Sequence, residues 1–175
     1  MKEDFIFPLN GLKVGRSSFE FHSGKEFFQS FENAEILDAD LTVGVTIEKS
    51  NAYIGVDLDI QGWVEVTCDR CLAALRLGVA ASPALSVKFG EQDSAATEDL
   101  WEGEREILFL PESDTDLDLS QVVYDYVCIS LPLKRVHAEG ECDPDTVKYL
   151  ADETEAGADT EKDSPVASLK GLLEK

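Results

Sequence analysis

Between Ile36 and Cys68 apolar residues fall on nearly every second position, and no other feature of the chain restricts its fold more. Leu41, Val43, Val45 and Ile47 alternate with polar or small residues, and Tyr53, Val56, Leu58, Ile60, Val64 and Val66 continue the pattern to Cys68. A period of two places successive side chains on opposite faces of a pleated strand, so one face is buried and the other wetted. Half-buried strands of this kind belong to antiparallel sheets. Lys49-Ser50-Asn51 reads as a hairpin turn and Gln61-Gly62 as a second turn or a bulge. The two-residue period resumes at Leu75, Leu77 and Val79 and again from Ala84 to Phe89, which leaves Cys68 and Cys71 in a loop between two strands.

Elsewhere the period changes. KEFFQSF, residues 25 to 31, has the spacing of a helical turn or two presenting Phe27, Phe28 and Phe31. The polar, acidic stretch Gly90 to Glu104 predicts a mobile loop, followed by a short strand over Glu106 to Leu110. Asp118-Leu119-Ser120 is a helix-start signal, and Leu119, Val122, Val123, Tyr126 and Ile129 recur at helical spacing up to Pro132. This predicts an amphipathic helix over 119–130 whose apolar stripe is core, with Cys128 a structural thiol within it. His22, in an alternating FEFHSG segment, reads as an ordinary strand residue. The expected fold is α+β: a curved antiparallel sheet, partly barrel-like, with one main amphipathic helix and an acidic C-terminal tail. Residues 1–150 make a single domain in this reading, 151–164 an acidic disordered linker and 165–175 a short C-terminal helix that regains Val166, Leu169, Leu172 and Leu173.

Among 175 residues, 36 are acidic and 15 basic, a formal charge of -21. Such a chain attracts basic partners over long range and repels a bare phosphate backbone, and the same charge also serves solubility alone. The opening MKEDFIFPLNGLKVG lacks the apolar core and cleavage pattern of a signal peptide, and no apolar run is long enough for a membrane span. A cytoplasmic protein is expected, whose four cysteines are thiols or metal ligands rather than a disulfide scaffold.

Cys68-Asp69-Arg70-Cys71 is open to three readings: half of a zinc site, a redox pair, or two core thiols. Zinc sites are commonly built from two closely spaced ligand pairs brought together by the fold. The other close pair in the chain is His137 and Cys142, so Cys68, Cys71, His137 and Cys142 form a candidate Cys3His tetrahedron for structural zinc. A thioredoxin-like pair would open a helix, whereas the residues after Cys71 alternate as a strand, although Arg70 still favours a thiolate. Catalytic signals are absent: there are two histidines, His22 and His137, and no G-x-S-x-G elbow, Walker loop or H-E-x-x-H. The expectation is a protein without catalytic residues and without a small-molecule substrate.

Several short motifs resemble one family in their order and spacing from Trp63 to the end. C-D-R-C-L after an alternating strand, D-L-S-x-x-V-x-D running into S-L-P-L, V-H-x-x-x-x-C and the closing S-P-V-A-S-L-K together resemble the YceD family, proteins linked to large-subunit ribosomal RNA accumulation in bacteria and plastids. The resemblance implies a non-enzymatic cytoplasmic factor supporting synthesis, stability or assembly of that RNA. Its partner would be large-subunit ribosomal RNA or its precursor complex, and the acidic charge of the chain adds a basic large-subunit ribosomal protein as a further candidate. It carries the C-x-R-C motif onto Cys68, Arg70 and Cys71, the leucine-proline onto Leu131 and Pro132, the later pair onto His137 and Cys142, and an acidic helix position onto Asp125. With so negative a chain, contact with RNA would need a local basic spot, for which Arg70, Lys134 and Arg135 are the candidates. The alternatives are a thiol-redox protein using Cys68 and Cys71 and a generic acidic chaperone for basic proteins.

Overall fold

A computed structural model of the chain describes residues 5–50, 53–90 and 101–148, without the side chains of Trp101 and Glu102. It divides into two compact units, one of residues up to Thr67 together with Ala74–Arg135, the other of Cys68–Ala73 with the chain from Val136 onward. The expected acidic linker and C-terminal helix lie outside the described residues.

The first unit is mostly sheet. Strands β1 (Ile6–Pro8) and β2 (Gly15–Gly24) precede a short helix α1 (Lys25–Gln29), then come β3 (Ile36–Lys49) and β4 (Ile54–Thr67). These are followed by β5 (Ala74–Ala81), β6 (Ala84–Phe89), β7 (Trp101–Glu102), β8 (Arg105–Leu110), β9 (Asp116–Asp118) and helix α2 (Ser120–Ser130). The long alternation becomes the β3–β4 hairpin, closed where the Ser50 amide donates to the Tyr53 carbonyl at 2.8 Å. Leu41, Val43 and Val45 on β3 and Val56, Ile60, Val64 and Val66 on β4 are completely buried. Each such side chain contributes about 1.5–3 kcal/mol of transfer free energy. The period therefore selects the inward face, and burial holds it there.

Gln61-Gly62 is neither turn nor bulge. It lies inside β4, where Gly62 faces Leu41 in an unbroken register with φ of +146°. A Cβ at this position would collide with the Asp40 carbonyl oxygen and the Leu41 Cα, so only glycine allows β3 and β4 to approach so closely. On its other edge β4 pairs with β6 over Ile54–Asp57 and with β5 over Ile60–Thr67, the change of partner falling beside Pro83, whose carbonyl accepts from the Leu58 amide.

The seven-stranded sheet runs β2-β3-β4-β6-β8-β7, with β5 on the side of β4; it is open and does not close into a barrel. It is not wholly antiparallel either, because β8 runs parallel to β6. A parallel partner is joined through a long connection and leaves no hairpin signal in the sequence. Part of the expected Gly90–Glu104 loop is strand, since Trp101–Glu102 pairs with β8, and residues 91–100 lie outside the described set.

A separate ribbon of β1 and β9 brings Phe5 beside the start of α2, where the Leu119 amide donates to the Phe5 carbonyl at 3.0 Å. Phe5 packs against Phe21 and Phe27 with ring centroids 5.3 Å apart in both cases, tilted against Phe21 and edge to face with Phe27. The Ser120 amide at the head of α2 is capped by the Asp118 carboxylate at 2.8 Å. The helix buries Ser120, Val123 and Val127, with Leu119 buried just before it, and packs against β5. The expected stripe is only half right, because Ile129 is 74% exposed and Val122 and Tyr126 are partly so. Val122 and Tyr126 pack against the edge of the core, and Ile129 alone of the stripe stands out from it.

Candidate metal centre

The second unit brings together the four residues that the spacing picks out. The loop between β4 and β5 is drawn tight by two backbone bonds, Cys68 N–H to the Ala73 carbonyl at 2.9 Å and Leu72 N–H to the Cys68 carbonyl at 3.0 Å. Closing it takes Leu72 into the left-handed region, φ 61°, where a Cβ is disfavoured and glycine is the usual choice. The Leu72 side chain stands 73% exposed. Both cysteines point inward, Cys68 fully buried and Cys71 nearly so.

The second pair is shaped by its own turn. Between His137 and Cys142 the Glu141 amide donates to the Ala138 carbonyl at 3.1 Å, with Gly140 at φ 86°. This is a type II turn, whose third position requires positive φ. It folds the chain back so that both side chains face the cysteine loop. Beyond it Asp143 caps a helical turn over 144–148, accepting from the Asp145 amide at 3.1 Å and the Thr146 hydroxyl at 2.9 Å.

The ligand atoms of Cys68, Cys71, His137 and Cys142 all lie within 4.8 Å of one another. His137 Nδ1 is 3.4 Å from Cys71 Sγ and 4.0 Å from Cys142 Sγ. A tetrahedron with zinc–sulfur bonds of about 2.3 Å and zinc–nitrogen bonds of about 2.0–2.1 Å has edges of roughly 3.5 to 3.8 Å, so the donors stand close to where an ion would hold them.

Amide hydrogens are directed at the sulfurs. Burial alone would push the Cys68 thiol up, but the amides of Cys71, Arg70 and His137 outweigh it and bring the thiol well below its ordinary range. The amides of Asp143 and Ala73 do the same for Cys71 against the opposing effect of burial. Cys142 is pushed up by burial and by the neighbouring sulfurs of Cys71 and Cys68. Three sulfurs this close resist carrying charge together unless a cation sits among them. Arg70 supplies part of that charge, its guanidinium donating to Cys142 Sγ at 3.8 Å.

The remaining candidates fall elsewhere. Lys134 and Arg135 belong to the first unit, where Lys134 is exposed and Arg135 pairs with Glu35 at 2.9 Å. Cys128 is outside the cluster; it accepts a long bond from the Asn33 amide group at 3.9 Å, and burial pushes its thiol up. His22 is a strand residue within bonding reach of Thr42. Sequence reasoning missed the strained Leu72, for which there is no local signal, and the turn at Gly140, which the A-E-G-E order does signal.

No helix among the described residues is long and apolar enough to cross a membrane. No curated protein and no solved structure matches the chain. Residues 56–173, which include all four clustered side chains and well over half of the chain, match the family described as large ribosomal RNA subunit accumulation protein YceD, and the chain belongs to that family.

Proposed function

We propose that this protein is a non-enzymatic accessory factor of ribosome biogenesis, acting in the cytoplasm to support synthesis, accumulation or assembly of large-subunit ribosomal RNA. Family membership over residues 56–173 is the observation that carries this reading. In it, Cys68, Cys71, His137 and Cys142 hold a structural zinc ion. Three thiolates and one imidazole fill a tetrahedral shell and leave no position for a substrate, as in structural rather than catalytic zinc sites. Such a centre carries a net negative charge, which the Arg70 guanidinium beside Cys142 offsets. The metal would join two segments 66 positions apart and fix the closing part of the fold.

Lys134 and Arg135, with Arg70, are the proposed contacts to the RNA or to an acidic partner. The acidic remainder of the chain, at -21 overall, suits a basic large-subunit ribosomal protein. Thiol exchange at Cys68 and Cys71 is the weaker reading, because exchange needs a sulfur accessible to attack and these are 0% and 4% exposed.

Deletion of the gene, followed by quantification of precursor and mature ribosomal RNA, tests the function. Large-subunit RNA should fall relative to small-subunit RNA. The wild-type gene should restore it, and a gene carrying Lys134→Ala and Arg135→Ala should restore it less. An unchanged ratio in the deletion strain would sink the reading.

A further inference from the structure

Among the described residues, one flank of α2 carries an apolar surface that the core covers only in part: Val122 and Tyr126 pack against the core's edge and Ile129 stands out from it. Val122, Tyr126 and Ile129 follow one another at i, i+4 and i+7 on the flank next to the buried Val123 and Val127. Two adjoining depressions share Tyr126 and Ile129. One is lined by Glu106, Val122, Asp125 and Cys128 besides those two, the other by residues of the β5–β6 corner with Glu104 and Ser130. The carboxylates of Glu104, Glu106 and Asp125 rim the apolar floor, and no lysine or arginine occurs among the described lining residues. Two of the three carboxylates are held in place: the Tyr126 hydroxyl donates to Glu106 at 2.7 Å and the Gln121 amide group donates to Asp125 at 2.8 Å.

An isoleucine left 74% exposed in the middle of such a groove is what helix-in-groove recognition uses, and the charge of the rim selects the occupant. We infer that this face docks a basic amphipathic helix of a protein partner, its apolar side on Val122, Tyr126 and Ile129 and its lysines or arginines on Glu104, Glu106 and Asp125. The inference deepens the accessory-factor reading and rests on it for the identity of the partner as a basic ribosomal or assembly protein. RNA is the wrong occupant, since its phosphates would meet three carboxylates.

The test uses the full chain and a synthetic helical peptide of leucine and lysine with its leucines at i, i+3, i+4 and i+7, alongside a twin with glutamate for lysine. Binding is followed by fluorescence anisotropy at near-physiological salt. The lysine peptide should bind and the glutamate twin should not. Ile129→Glu and Asp125→Lys should each weaken binding about tenfold or more. Glu48→Lys, the same charge change at an exposed site on β3, should weaken it less than twofold. Equal losses from Asp125→Lys and Glu48→Lys would reduce the effect to general charge attraction and overturn the proposal, as would an Ile129→Glu protein that binds unchanged. A photo-crosslinker at position 129 in cells should join a lysine- or arginine-rich protein segment; crosslinks to RNA or to residues 165–175 of the same chain would also overturn it. The peptide result is independent of ribosomal RNA levels, so failure of the groove and failure of the biogenesis role are told apart by the deletion strain.

Discussion

Cys71 Sγ lies 3.4 Å from His137 Nδ1 although 66 positions separate the two residues. A sulfur and an imidazole nitrogen held at the edge length of a zinc tetrahedron, with two further buried thiols beside them, gain little from packing alone. The protein should therefore carry about one zinc ion per chain when purified without chelator. A strong chelator should lower its melting temperature by several degrees, because binding energy at such a site is folding energy. Cys71→Ser should lose the metal and the chelator sensitivity, and Cys128→Ser should keep both. Elemental analysis and thermal unfolding check this; a metal-free protein indifferent to added zinc would refute it.

Gly62→Ala tests the close approach of β3 and β4. The added methyl would meet the Asp40 carbonyl and the Leu41 Cα, backbone atoms that cannot rotate away, in a residue whose φ of +146° already excludes ordinary side chains. A destabilisation of about 3 kcal/mol or more is expected. Gly78→Ala on β5, where a Cβ meets nothing within 4 Å, serves as the control and should cost less than about 1 kcal/mol. Urea midpoints compare the two.

What was readable in advance divides along the same physical line. The β3–β4 hairpin was legible because one-sided burial imprints Leu41, Val43, Val45 and Ile47 on the sequence directly. The parallel pairing of β6 with β8 was not, since nothing local distinguishes a strand's distant partner. Gly62 was ambiguous because a turn and a close backbone approach call for the same residue. In α2 the apolar residues spread beyond the buried side, and periodicity alone does not tell which of Val123 and Ile129 turns inward. The four clustered side chains were legible as two spaced pairs. Their donors were not, because amide hydrogens on Cys68 and Cys71 come from backbone geometry that side-chain identity does not encode.

Leu72 carries strain that the cysteine loop imposes, at φ 61° with its side chain 73% exposed. A left-handed conformation costs a non-glycine residue about 1–2 kcal/mol. Leu72→Gly should remove that cost, partly offset by the greater freedom of glycine in the unfolded chain, for a net gain of a few tenths to about 1 kcal/mol. Leu72→Val, branched at Cβ, should move stability the other way. Chemical unfolding measures both signs; a loss with glycine would mean that the leucine side chain makes contacts worth more than the strain.

Tyr126 gives a pH signature to the partly covered flank of α2. Burial, reinforced by its hydrogen bond to Glu106 and by the charge there, raises its hydroxyl from the ordinary 10.0 to about 12. The folded state thus holds a proton that the unfolded state releases sooner. The stability this contributes is fully present below about pH 10 and is lost as pH rises through about 12. Urea midpoints taken between about pH 9 and pH 12 should fall more steeply for the wild type than for Tyr126→Phe. The tyrosinate absorbance of the folded wild type should include one group, absent from the variant, that titrates near the top of that range. Parallel pH dependence in the two proteins would show that burial and Glu106 do not hold the proton on the hydroxyl in solution.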